Sequence, residues 1–407
     1  MSAPPRPSPA VGATGSPLIP GHLWDRLVAL RRDLHRHPEL AFREERTASV
    51  LYGELDALAP AALSRVAGTG IVARIAGRRP DVPLVAIRGD IDALPIQEDT
   101  GLPFASATPG VMHACGHDVH ATWTVGAAAL LSEERAEGDV LIILQPAEEV
   151  GQGALAILES GALDGVQAIF GGHVDRRFTV GQVVAQAGPL AASADEFRIE
   201  LVGRGAHGAR PHESADPIVG MAALVSALQT IVSRRVNPAY PAVLTVGMVS
   251  AGTAPNVIPD RATLRGTIRA TDHDTRALIQ AELVEVTQHV AAAHRLTARV
   301  AFEGGVPPVI NDADAASWAA AAAATVLGPS AVVPLDITNM AAEDFACYLS
   351  RLRGCFIRVG ARGEGEPAIP AHSPNFDVAE GAIAVGAAVL AECARTASAA
   401  LAFGRAR

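Results

Sequence analysis

Cysteine is scarce in this chain: four in 407 residues, at positions 115, 347, 355 and 393. So few, so scattered, exclude a disulfide framework and point to a reducing compartment. Basic charge is in deficit, with 33 Lys plus Arg against 43 Asp plus Glu and a net charge of −10. With no basic run anywhere, non-specific nucleic-acid binding is excluded. No run of 18 or more apolar residues free of charge is present, so no membrane span is expected. Residues 1–20 are rich in Pro, Ala, Ser and Gly and lack an apolar stretch behind a basic start. They read as a disordered tail without a secretory signal, and the expected location is cytoplasmic. No short-period internal repeat is found.

What is present is a globular composition: 49% hydrophobic and 19% charged residues, over a length that accommodates two or more domains. Helices are expected over residues 23–35 and 44–58. Short apolar runs follow, Leu84–Ile87, Val140–Leu144, Ala168–Phe170 and Cys355–Val359. Runs of this kind suit strands buried on both faces of a mostly parallel sheet. Helical stretches at 121–135 and 153–160 lie between them, which makes the patterning α/β. The middle of the chain differs. Glu196–Val202 alternates apolar and polar residues, a helix fits 217–235 behind the cap Asp216, strands fit 242–249 and 262–270, a helix fits 274–294, and a strand fits 297–302. That order, β-α-β-β-α-β, is the ferredoxin-like split pattern. The expected organisation is a discontinuous α/β domain with a mostly parallel sheet, formed by residues 21–190 and 304–407 and interrupted by an inserted ferredoxin-like α+β domain at 191–303. The Ala-rich stretch 315–324 reads as ordinary helix.

The chemistry gathers at strand ends. The octapeptide His113-Ala-Cys-Gly-His-Asp-Val-His120 holds three histidines, a cysteine and an aspartate. Cys115 and His117, two apart, can be aimed at one metal ion. The same residues can instead hold a thiol nucleophile, Cys115 activated by a neighbouring imidazole. Glu148 and Glu149 close an apolar run; buried together they repel unless a cation neutralises them. One carboxylate as ligand and one as base for a water explains the pair. His173 and His372 each follow a strand-like run. A lone histidine there is more often a structural donor, but with Cys115, His117 and Glu149 these two complete a set. Five ligands of mixed S, N and O type exceed one tetrahedral zinc and suit a two-metal centre. Asp90 and Asp92 form a D-x-D, and with Asp118 they read as ligands or as partners orienting a ligand histidine.

These motifs resemble the aminoacylase-type metal-dependent amidohydrolases, the group of hippurate hydrolases, auxin–amino-acid conjugate hydrolases and N-acyl-amino-acid hydrolases. The matching segments are Leu34-His-Arg-His-Pro-Glu-Leu40, Arg88-Gly-Asp-Ile-Asp-Ala-Leu-Pro95, Met112-His-Ala-Cys-Gly-His-Asp118, Gln145-Pro-Ala-Glu-Glu149 and Gly172-His-Val174. Further along come Gly205-Ala-His-Gly-Ala-Arg-Pro-His212, Ala254-Pro-Asn-Val-Ile-Pro259, Gly266-Thr-Ile-Arg269, Glu343-Asp-Phe345 and His372-Ser-Pro374. They span about residues 30–380 in the family's order.

The resemblance implies that Cys115, His117, Glu149, His173 and His372 bind two divalent metals per subunit; thiolate and imidazole favour Zn²⁺, with Mn²⁺ or Co²⁺ as alternatives. It implies Glu148 as general base and acid, acting on a small N-acyl amino acid. It implies a homodimer through the inserted domain, with His207 reaching the partner's active site to stabilise an oxyanion. Asn256 and Arg269 would contact the substrate's carboxylate side. The rival activities are a dipeptidase or carboxypeptidase of the same superfamily, a thiol enzyme using Cys115, and a non-catalytic binding protein. The Cys-x-His pair favours the acyl-amino-acid branch. Three places depart from the family pattern: Ala121 where Thr is frequent, Arg176-Arg177 where Pro is common, and Asn339-Met-Ala-Ala before Glu343. The two arginines would alter the pocket rim and so bear on substrate choice.

Overall fold

The computed structural model describes residues 18–404. Most of the tail expected over residues 1–20 therefore lies outside the described residues; of the three that are described, Ile19 is buried in the core. Contacts divide the chain into two units, one of Met1–Gly188, Asn311–Asp336 and Cys347–Arg407, the other of Pro189–Ile310 and Ile337–Ala346.

The first unit begins with helices α1 (Gly21–Arg36) and α2 (Glu45–Asp56). Strands β1 (Ala62–Val66), β2 (Gly70–Ile75) and β3 (Leu84–Asp90) follow, then α3 (His117–Glu133), β4 (Val140–Gln145), α4 (Gly153–Glu159), β5 (Val166–Thr179) and β6 (Val183–Val184). The chain crosses between units at β7 (Gly188–Ala191), at β14 (Val309–Asn311), between Asp336 and Ile337, and within α8 (Phe345–Leu349). The first unit is completed by α7 (Ala313–Leu327), β15 (Arg353–Arg362) and α9 (Gly381–Gly404).

Its sheet runs β1-β2-β4-β3-β5-β15-β6. The four central strands, β4, β3, β5 and β15, are parallel, and antiparallel strands close both edges. The apolar runs explain this: β4 is buried at every position and β15 at nearly every one, as strands covered on both faces must be. The expectation of a mostly parallel α/β sheet is met. The antiparallel edge strands β1 and β2 and the helix α9 were not legible in the sequence. Helix α9 packs against α3 and α7 through small residues. A Cβ on Gly386 would sit 2.1 Å from the Trp123 ring, and one on Gly126 would sit 2.8 Å from Ala387. Glycine is required there by close approach rather than by backbone angle.

The second unit contains β8 (Ala194–Val202), β9 (Ala206–His207), α5 (Pro217–Arg234), β10 (Ala242–Ala251), β11 (Val257–Ile258), β12 (Arg261–Ala270), α6 (His273–Ala293) and β13 (Thr297–Val306). Its sheet has the order β10-β12-β8-β13, all antiparallel. The alternation in β8 buries Phe197, Ile199 and Leu201 against Leu224, Leu228, Ile279 and Leu283 of the two helices. Asp216 caps α5 by accepting the Ile218 N–H at 2.8 Å, with Pro217 at the first helical position. Among the described residues, two helices have the length and apolar composition of a membrane span, Pro217–Arg234 and Gly381–Phe403. The second is a core helix, 78% of its apolar window being buried. In α5, Leu224, Leu228 and Ile231 enter the unit's core, while Ile218 and Val219 stay exposed.

Candidate metal centre

The carboxyl ends of two parallel strands and the middle of a third build the site, which lies toward the edge of the sheet where such side chains meet. Strand β3 delivers Asp90 and, just beyond it, Asp92; β4 delivers Glu148 and Glu149; β5 carries His173. The octapeptide is not all loop. Gly116, at φ 99°, turns the chain into α3, so that His117 is the first helical residue and Cys115 precedes the turn.

The imidazoles are oriented by their outer nitrogens. His117 Nδ1 lies 3.2 Å from Asp92 Oδ1, and the other Asp92 oxygen accepts the Glu149 N–H at 3.0 Å. His173 Nδ1 donates to the Val174 carbonyl at 2.7 Å, leaving Nε2 3.2 Å from Cys115 Sγ. His372 has a left-handed φ of 65° and donates its N–H to the Ala114 carbonyl at 2.7 Å. Its Nε2 lies 3.5 Å from Glu149 Oε1. His117 Nε2 lies 3.7 Å from Glu148 and 3.8 Å from Glu149.

Among the described residues, two of the five clusters of candidate donors are built wholly from the five expected ligands. Cys115, His117 and His173 have their ligand atoms within 4.8 Å of one another, and so do Cys115, Glu149 and His372. Cys115 belongs to both. The His117 Nε2 and Glu149 Oε1 atoms are buried and have no hydrogen-bond partner. Buried polar atoms are rarely left so. A divalent cation between the sets fits the donor chemistry, soft sulfur and borderline nitrogen with a carboxylate.

Electrostatics argue the same way. Burial and the nearby Glu149 carboxylate push the Cys115 thiol well above its ordinary value. An activated nucleophile requires the opposite shift. A cation beside the sulfur reverses the penalty, since coordination deprotonates a thiol. Burial also holds His173 well below the usual imidazole range, the neutral state a ligand needs; at His117 burial is outweighed by the Asp90 and Asp92 carboxylates, which raise it, so a cation there would have to displace a proton.

The remaining site candidates are placed as follows. Asp90 accepts from His120 Nδ1 at 2.7 Å, and His120 Nε2 accepts the Val174 N–H at 3.0 Å. His120 thus bridges β3 to the residue after His173 as a neutral imidazole. Asp118 faces the other side of α3, where it accepts from Arg31 Nε and His35 Nδ1, both at 2.8 Å. It is brought to no ligand histidine; it ties α3 to α1. His207, Asn256 and Arg269 lie in the second unit. His207 and Asn256 are neighbours: Val257 pairs with His207 across β11 and β9, and the Gly208 N–H donates to the Asn256 carbonyl at 2.8 Å. Both are exposed. Arg269 is half-buried on β12, opposite Val243 of β10. The chain contains no lysine, so every cationic side chain is Arg or His.

Sequence reasoning missed Glu44. This fully buried carboxylate accepts the Thr69 hydroxyl at 2.6 Å and the Ala147 N–H at 3.0 Å. Ala147 itself has a left-handed φ of 56°, directly before Glu148. Glu44 and Asp92 therefore hold the backbone on the two sides of Glu148. Only its position beside the Leu34–Leu40 motif hinted at it. Burial raises the Glu44 carboxyl above its free value of 4.5. A raised carboxyl contributes stability that is complete below the free value and lost as pH climbs through the folded one. Glu44→Gln mimics the neutral form, and Thr69 can rotate to suit it. The variant is expected to melt higher than the parent at pH 7, with the gain vanishing below about pH 4. A lower melting temperature at pH 7 would overturn this assignment.

Comparison with known proteins follows the same lines. The model of peptidase family M20/M25/M40 matches residues 86–396. An N-acetyl-L-cysteine deacetylase of Bacillus subtilis (strain 168) is 41% identical over 379 residues, covering 92% of this chain and 88% of that protein. An IAA-amino acid hydrolase of Arabidopsis thaliana is 37% identical, covering 91% of this chain and 85% of its own length. Among solved structures, a Bacillus subtilis protein described as a dinuclear metal-binding peptidase of the M20 family superposes with a TM-score of 0.82 at 36% identity, covering 94% of this chain and 99% of that one.

Proposed function

The chain belongs to the peptidase family M20/M25/M40, and from that premise we propose that it hydrolyses the amide bond of N-acyl amino acids. The products are a carboxylic acid and an amino acid. One observation carries the reading: Glu148, only 10% exposed, sits beside two donor sets that share Cys115. The relatives named as an N-acetyl-L-cysteine deacetylase and an IAA-amino acid hydrolase support the substrate class. Cys115, His117 and His173 would hold one divalent ion, and Cys115, Glu149 and His372 the other. Zn²⁺ suits thiolate and imidazole; Mn²⁺ and Co²⁺ are the alternatives to test. When bound, the ions supply Lewis acidity toward the scissile carbonyl and toward a water. Glu148 takes the proton from that water and delivers it to the leaving nitrogen. Asp92 holds His117 and the Glu149 backbone so that the donors need not reorganise.

The second unit acts as an inserted dimerisation domain in this reading. Its sheet ends in the edge strand β10, paired on one side with β12, and Val243, Met248 and Val249 are exposed by 40%, 64% and 56%. An apolar edge of this kind is suited to pairing with a second copy. His207 accepts the Ala209 N–H at Nδ1, 3.1 Å away, so its Nε2 carries the proton. In a homodimer that donor would serve the other copy's oxyanion, with Asn256 and Arg269 on the carboxylate side of the substrate. The four free, buried cysteines suit a cytoplasmic location.

The test is a panel. Protein loaded with Zn²⁺, Mn²⁺ or Co²⁺ is assayed on N-acyl amino acids and on free dipeptides, and both products are identified. N-acyl substrates are expected to be cleaved with the higher kcat/KM. Preference for free dipeptides would replace this reading with the dipeptidase one.

A further inference from the structure

Residues 363–380 join β15 to α9 with neither helix nor strand, and they carry His372. The two ends of this segment converge on one side chain of β5. Arg176 is 7% exposed. Its Nη2 donates to the Pro367 carbonyl at 2.9 Å and lies 3.2 Å from Glu366 Oε2, while Nη1 donates to the Asp377 carbonyl. One planar guanidinium therefore spans two backbone points ten residues apart, with His372 between them. A guanidinium presents its donors in a fixed fork, so it sets the distance between the points it bridges. Arg176 is thus a buried strap and not a rim residue, contrary to the expectation from its place after the His173 loop. Arg177 is the residue that faces outward; it is exposed and pairs with Asp175 at 2.7 Å.

The segment has other anchors, the Asp99 N–H on the Pro374 carbonyl at 2.8 Å, Arg31 on Asp377 and Arg362 on the Glu366 carbonyl, but among the described residues the Arg176 side chain alone bridges both flanks of His372. The His372 side chain is 54% exposed, its φ of 65° is strained for a residue other than glycine, and its backbone is fixed to Ala114 by one hydrogen bond. We propose that Arg176 is a positioning residue that holds His372 in place to ligate one of the two ions. The proposal rests on the two-ion reading above. It makes a selective claim: the set Cys115, Glu149 and His372 depends on the strap, and the set Cys115, His117 and His173 does not.

The test uses metal-free full-length protein titrated with Zn²⁺ alone by calorimetry, with bound ions counted after dialysis. The parent is expected to bind two ions. Arg176→Ala is expected to keep one of the two affinities and weaken the other by about 10- to 100-fold, the range for partners that orient a ligand. Arg176→Lys, a single point charge, should recover part of the loss, and Arg177→Ala should match the parent. An Arg176→Ala protein that binds both ions as the parent does overturns the proposal. If Arg176→Ala fails to fold, Arg176→Lys decides, and parental affinity for both ions in that variant overturns it equally. A parent that binds fewer than two ions overturns the two-ion reading first, and this proposal with it.

Discussion

Glu148→Gln is expected to lower kcat about 100- to 10,000-fold while leaving the bound metal and KM nearly unchanged. The physical argument is narrow. Glutamine keeps the size of the side chain and one oxygen, so the packing at the end of β4 is preserved. It cannot accept a proton from water or return one to nitrogen. The backbone around it stays in place, because the Ala147 and Glu149 N–H groups are held by Glu44 and Asp92 rather than by Glu148. A loss confined to kcat is the signature of an interaction made in the transition state. Measuring kcat, KM and metal content on one preparation separates this from a damaged site. Full turnover in a metal-replete Glu148→Gln protein would remove Glu148 from the proton-transfer role.

Cys115→Ala is expected to lose both ions and, with them, essentially all turnover. The sulfur is the one donor common to both ligand sets, so its removal leaves each with two protein atoms. Cys115→Asp restores an anionic donor and is expected to recover part of the metal and of the rate. The rival thiol mechanism predicts differently. Under it, a chelator leaves the parent protein active, and Cys115→Asp is as inactive as Cys115→Ala. Loss of activity on chelation, reversed by adding the ion back, decides for coordination. Retention of two ions by Cys115→Ala would break the shared-ligand geometry at its centre.

Much of the fold was legible because it depends on local pattern. Unbroken apolar runs marked β3, β4, β5 and β15 as covered strands. Alternation in β8 marked a sheet with one wet face, and Asp216-Pro217 marked a helix start. The antiparallel edge strands β1 and β2 gave no such signal, since edge strands need not be apolar on both faces; β1 is exposed or half-exposed throughout. Helix α9 was missed because it is apolar nearly all round, and a buried helix of that kind has no amphipathic stripe to read. The octapeptide was silent in one respect. The spacing of two between Cys115 and His117 did not show that Gly116 ends the loop carrying the first and opens the helix carrying the second.

The sequence by itself determined which donors the chain owns and where they fall: sulfur, imidazole and carboxylate groups just past apolar runs, in an order matched by a known family. That much is local, because a strand's apolar run and the polar residue that ends it are neighbours in the chain. Tertiary structure alone decided which atoms face one another. Cys115 reaches His173 across 58 positions, His120 turns to Asp90 rather than into the donor sets, Asp118 is claimed by Arg31 and His35, and Arg176 closes on Asp377 201 positions away. Such pairings are set by strand order, register and rotamer in a packed interior, where buried polar groups must be matched, and no spacing along the chain encodes them.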